Sequence, residues 1–146
     1  MKRVTGNRIV DLSFDFALQV IAFSERLESE RKYAIANQLL RCGTSIGANV
    51  SEAQNSESKI DFIHKLKIAA KEAEETKYWL LLCKYADSYP FEESLLVQIH
   101  EIQKLLTSII TTSKKTVEIN NKDKYFSLLL IGSLLISTLF ISTLSH

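Results

Sequence analysis

Apolar residues recur at alternating steps of three and four in four successive stretches of this chain, which is the periodicity of helices with one buried face. Ile9, Leu12, Phe16, Val20, Phe23 and Leu27 form the first stretch, and Ala36, Leu39, Gly43, Ile46, Val50 and Ala53 the second. Phe62, Leu66, Ala69, Ala73, Thr76, Leu80 and Cys83 form the third, and Leu95, Ile99, Ile102, Leu106 and Ile109 the fourth. No stretch shows the sustained period-two alternation of a strand. With 146 residues, one proline and four glycines, the chain is long enough for one domain with a real core and too poor in turn-formers for a β-sandwich.

Polar breaks separate the stretches. LESER near residue 29 offers Ser29 as a helix N-cap, and Ser58 with Asp61 resembles a capping box. DSYPF at 87–91 holds the only proline, a residue that can start a helix but not sit inside one. Short connections force neighbouring helices to run antiparallel, so the spacing predicts an all-α, up-down-up-down four-helix bundle over 1–117. Residues 118–146 read as a polar linker followed by an extra apolar C-terminal segment.

Within the second stretch, RCGTSIGANVSEA (41–53) places Gly43 and Gly47 inside a helix, where each costs roughly 0.5–1 kcal/mol relative to alanine. Four residues apart, they share one side of the helix, and their missing side chains let another helix approach closely. Ala69, Ala70 and Ala73 of the third helix are the expected partners. A phosphate-cradling loop would need a strand before these glycines, and no strand pattern precedes them.

Arg41, Ser45, Asn49 and Glu52 follow steps of four, four and three, a polar stripe beside the apolar one. Arg41 and Glu52 lie about 16 Å apart along the axis and cannot pair with each other. Either the stripe is a solvated face, or it is a polar network that finds partners on another helix or subunit and sets the register of that interface.

The run LLRCGTSIGANVSEAQNSESKIDFIHKLKIAAKEAEETKYWLLL resembles the four-helix-bundle family encoded in intervening sequences of bacterial 23S ribosomal RNA genes. Arg41, Ser45, Ile46, Asn49, Glu52, Phe62, Leu66, Ile68, Ala69 and Glu74 match the family pattern, whereas Cys42 replaces its usual serine and Ala53 its usual glycine. The resemblance covers about residues 8 to 115. It implies a ring-like homo-oligomer, expected as a pentamer. A related branch resembles the accessory protein of diversity-generating retroelements, which works with a reverse transcriptase and binds nucleic acid. For the ribosomal branch the resemblance implies no settled biochemical activity.

Enzyme chemistry finds little support in the spacing. A di-metal helical bundle needs a repeated Glu-x-x-His, and the chain offers Asp61-x-x-His64 once, with His100 directly before Glu101. Glu72 and Glu75 could make half of a Mg²⁺-dependent nucleotide pyrophosphohydrolase site, but only Asp87 follows them. No histidine has a Ser or Cys neighbour that suggests a triad. The expectation is a non-enzyme without cofactor or metal. Cys42 and Cys83 lack C-x-x-C spacing and read as small buried hydrophobes in a reducing cytoplasm. The opening MKRVTGNRIVDLSFDF does not have the pattern of a signal peptide.

Net charge is +1, so bulk charge names no partner. Arg31 and Lys32 before the second helix, and Lys59, Lys65, Lys67 and Lys71 on the third, are the candidate contacts for RNA. Their alternative is an ordinary solvated surface. In a ring such clusters repeat, and their phosphate contacts add across subunits.

From Tyr125 to Leu144 run twenty uncharged residues, thirteen of them apolar, six Ser or Thr and one Gly. That length just spans a bilayer, with Lys122 and Lys124 on its cytoplasmic flank. A poorly specified extension, or a fifth helix on the ring, is the alternative. The reading is therefore a cytoplasmic homo-oligomeric scaffold or binding protein with RNA as partner. Its rival is an inner-membrane-associated, tail-anchored interaction module without nucleic-acid binding.

Overall fold

The computed structural model describes residues 5–144, with side chains placed for 5–133. Four helices follow in order: α1 Arg8–Ser29, α2 Tyr33–Ala53, α3 Lys59–Tyr85 and α4 Glu93–Leu144. Among the described residues there is no strand. The chain divides into two compact units, the first ending at Thr111 and the second beginning at Thr112.

In the first unit the four helices close on one core, and the predicted stripes supply it. Phe16, Val20, Phe23 and Leu27 of α1 meet Leu39, Ile46 and Val50 of α2, Leu66, Ala69, Ala73 and Leu80 of α3, and Leu95, Ile99, Ile102 and Leu106 of α4. Sequential helices are antiparallel. Gly43 and Gly47 of α2 face Val20 and Ser13 of α1 in reverse order, and Arg41 and Glu52 of α2 pair with Glu75 and Lys65 of α3. On the other side of α1, the Gln19 and Gln98 side-chain amides bond reciprocally at 2.9 and 3.0 Å and tie α1 to α4. The bundle is the up-down-up-down arrangement that the short connections require.

Ser58 caps α3 as expected, its Oγ accepting from the Asp61 N–H at 3.1 Å. Ser29, however, does not cap α2. It is the last residue of α1, and its hydroxyl donates back to the Arg26 carbonyl at 2.7 Å. The turn that follows is a Schellman closure. The Lys32 N–H reaches the Leu27 carbonyl and the Arg31 N–H the Glu28 carbonyl, both at 2.8 Å. Arg31 stands at the position where glycine is usual, with φ 62°.

In the second unit, α4 stays helical through the polar stretch 118–124 that was expected as a linker. No proline or glycine interrupts the chain between Phe91 and Ile131, and Lys and Glu are good helix formers. Tyr125, Phe126 and Leu128 to Ile131 are all exposed. Among the described residues no helix is long and apolar enough to cross a membrane. The expected span at 125–144 lies mostly outside the described side chains.

Candidate nucleic-acid interface

The two charged residues of the α2 polar stripe, Arg41 and Glu52, find partners on α3 of the same chain. Antiparallel packing sets Arg41 opposite the second half of α3, where its guanidinium pairs with Glu75 and stands 3.8 Å from Glu72. Arg41 also donates to Gln38 at 3.3 Å, and the Trp79 indole N–H donates to Glu75 at 3.4 Å. Glu72 is largely enclosed, and its Oε2 accepts no hydrogen bond, so Arg41 is the charge that offsets its burial. Glu72 and Glu75, considered as half of a Mg²⁺ site, are therefore turned toward a cation that the chain itself provides.

Eleven residues further along α2, Glu52 accepts from the Lys65 ammonium at 2.7 Å, which holds the Lys65 pKa above its ordinary value. Between these ion pairs Asn49 bonds back to the Ser45 carbonyl at 2.9 Å, and both residues are half-buried. Arg41 and Glu52 thus each reach α3 through a charge pair, while Ser45 and Asn49 between them bond within α2.

Gly43 and Gly47 allow a close helix contact, but with α1 rather than with the alanines of α3. A Cβ on Gly43 would stand 2.7 Å from Val20 Cγ1, and one on Gly47 would stand 3.3 Å from the Ser13 carbonyl oxygen. Ala69 and Ala73 are fully buried in the common core. The reason is angular. On α2 the glycines lie on one flank of the apolar stripe, and the opposite flank, carrying Arg41, Ser45 and Asn49, is the one turned to α3.

Both cysteines are buried. Burial raises the Cys42 thiol above its ordinary value, partly offset by a hydrogen bond with Thr76, and pushes the Cys83 thiol up to about 11. Neither is poised as a thiolate nucleophile. A pocket of about 220 Å³ between Ile35, Leu82, Cys83, Ala86 and Tyr89 is apolar and smaller than usual ligand sites. Among the described residues no three His, Cys, Asp or Glu side chains converge as a metal site would require.

The basic candidates do not form one cluster. Arg31 and Lys32 lie at the α1–α2 turn, where Lys32 donates to Ser88 at 3.1 Å and covers the Tyr89 ring at 4.5 Å. Lys71 is fourteen residues, about 21 Å, from the Tyr85 end of α3 that borders this turn. Lys65 is engaged by Glu52. Lys59, at the start of α3, covers the Phe62 ring at 5.3 Å, which leaves Lys67 and Lys71, exposed one turn apart and in no ion pair among the described residues.

Sequence reasoning missed what accompanies them. Tyr78 and Tyr85 follow Lys71 at two steps of seven, so all four residues share the outer face of α3, and the two tyrosines are 56% and 78% exposed. Trp79 packs edge-on against Tyr78 at 5.2 Å between centroids. The signal was available, because a core stripe at Thr76, Leu80 and Cys83 necessarily turns 78 and 85 outward.

Compared with known proteins, residues 6–108 match the model of the 23S rRNA-intervening sequence protein family. The chain is also similar to a crystal structure from Bacteroides thetaiotaomicron, described as a protein of unknown function from the S23 ribosomal protein family. The two are 44% identical with a TM-score of 0.68, over 72% of this chain and 96% of that one. No curated protein matches the chain.

Proposed function

The chain belongs to the 23S rRNA-intervening sequence protein family, and on that premise we propose that it is a non-enzymatic, self-associating binding protein that contacts RNA phosphates through the outer face of α3. One observation carries the reading: Lys67 and Lys71 project together from that face without acidic partners among the described residues. Every other cation of α2 and α3 named above is occupied or lies elsewhere. Two lysines give little affinity alone. Repeated around a homo-oligomer, expected as a pentamer, they would form a multivalent surface whose phosphate contacts add.

Self-association is supported by Leu18 and Ile21 on α1, which are exposed at a step of three on the side away from the core. The test is RNA binding by the full chain across a salt series, on a sample whose mass in solution is known. Binding that falls linearly in log–log against salt, from an oligomer, is the expected result. Lys67→Glu with Lys71→Glu should weaken it and flatten the slope. Unchanged affinity and slope in that variant exclude this surface.

A further inference from the structure

We infer that the RNA recognised by this face is single-stranded, with bases stacking on Tyr78 and Tyr85 while Lys67 and Lys71 hold the backbone. This rests on the phosphate-contact reading above and names its substrate class. Along α3 the lysines are about 6 Å apart, and each tyrosine follows at about 10 Å from the residue before it. Charge and aromatic rings are thus laid in a line along one exposed ridge.

The two exposed rings are the informative feature. Tyr78 and Tyr85 present most of their surface to solvent on a helix whose opposite side is fully packed, and Leu82, between them by one turn, continues the apolar strip. The edge contact with Trp79 restrains Tyr78, so little side-chain freedom remains to be lost on stacking. A row of cations joined to exposed aromatic rings is the pattern by which single strands are held without sequence preference, because every base has a π-face. In a duplex those faces are already stacked on their neighbours, and a protein reaches chiefly phosphates and 2′-hydroxyls. Rings on this ridge therefore add affinity only for unpaired bases. Glu74, exposed on the same face between Lys71 and Tyr78, disfavours a phosphate at that point and separates a backbone-holding end from a base-stacking end.

The experiment compares the full chain binding a labelled oligouridine with its binding to a blunt RNA duplex of equal length, using the wild type, Tyr78→Ala, Tyr85→Ala and Tyr78→Phe. The single strand is expected to bind at least tenfold more tightly than the duplex. Each alanine should weaken the single strand about tenfold and leave the duplex unchanged, and Tyr78→Phe should retain affinity because the ring remains. Equal binding of both RNAs, with alanine variants unaffected while Lys67→Glu with Lys71→Glu still weakens binding, overturns the single-strand inference and leaves the phosphate reading standing. No binding of either RNA at low salt by a folded protein overturns both. The substituted side chains are exposed, and unchanged helical circular dichroism separates loss of contact from loss of fold.

Discussion

Gly43 lies so close to Val20 that a Cβ added at the glycine would stand 2.7 Å from one γ-methyl of the valine and 2.9 Å from the other. Val20 is fully buried, and a β-branched side chain in a helix has one strongly preferred rotamer, so the two methyls cannot swing aside. The glycine costs helix propensity and in return lets α1 and α2 approach.

Gly43→Ala should therefore destabilise the bundle by about 1–2 kcal/mol, overpacking outweighing the roughly 1 kcal/mol gained in propensity. Urea unfolding of the single variant and of Gly43→Ala with Val20→Ala checks this. In the pair the clashing methyls are gone, so adding the alanine to Val20→Ala should cost less than adding it to the wild type. Equal cost in both backgrounds would show that the two positions do not meet.

Arg41 compensates the largely enclosed carboxylate of Glu72 and that of Glu75 across the α2–α3 seam. Arg41→Ala should lower stability by about 1 kcal/mol, a surface-pair value raised by the enclosure of Glu72. The loss should shrink in Glu72→Gln, where no buried charge is stranded. Double-mutant denaturation measures the coupling.

Arg31 occupies the left-handed position of a Schellman turn with a side chain that disfavours it. Arg31→Gly should raise stability by about 0.5–1 kcal/mol, the relieved strain exceeding the entropy that glycine adds to the unfolded chain. Thermal unfolding should register a higher midpoint, whereas Arg31→Ala should show no such rise.

The buried thiols make stability depend on alkaline pH. A Cys83 pKa raised from 9.0 to about 11 means that the unfolded chain loses its proton first. The contribution is complete below pH 9 and is lost as pH climbs toward 11. Cys42, also raised, acts in the same direction. Unfolding free energies measured from pH 8 upward should fall, and less steeply in Cys83→Ala. At pH 8 a thiol reagent should modify neither cysteine until the protein unfolds.

Helix identity, core membership and family were legible from the sequence because each is written in local order. Steps of three and four name the face that leaves water whatever lies opposite, so Phe16, Leu39, Leu80 and Ile102 could be assigned to the core without knowing their neighbours. The Arg41 to Glu52 stripe and the third-helix segment carried the family resemblance in the same way. Tyr78 and Tyr85 were readable by subtraction from the apolar stripe at Thr76, Leu80 and Cys83.

Which helix each flank would meet was a matter for the tertiary structure. Periodicity fixes an angle around a helix's own axis, but the neighbour on either flank depends on how the turns swing the helices around the common core. That is why Gly43 meets Val20 instead of Ala69 or Ala73, and why Arg41 finds Glu72 and Glu75. It is also why Arg31 and Lys32 stand a bundle's end away from Lys67 and Lys71. The sequence determined what each helix buries; only packing decided what it is buried against.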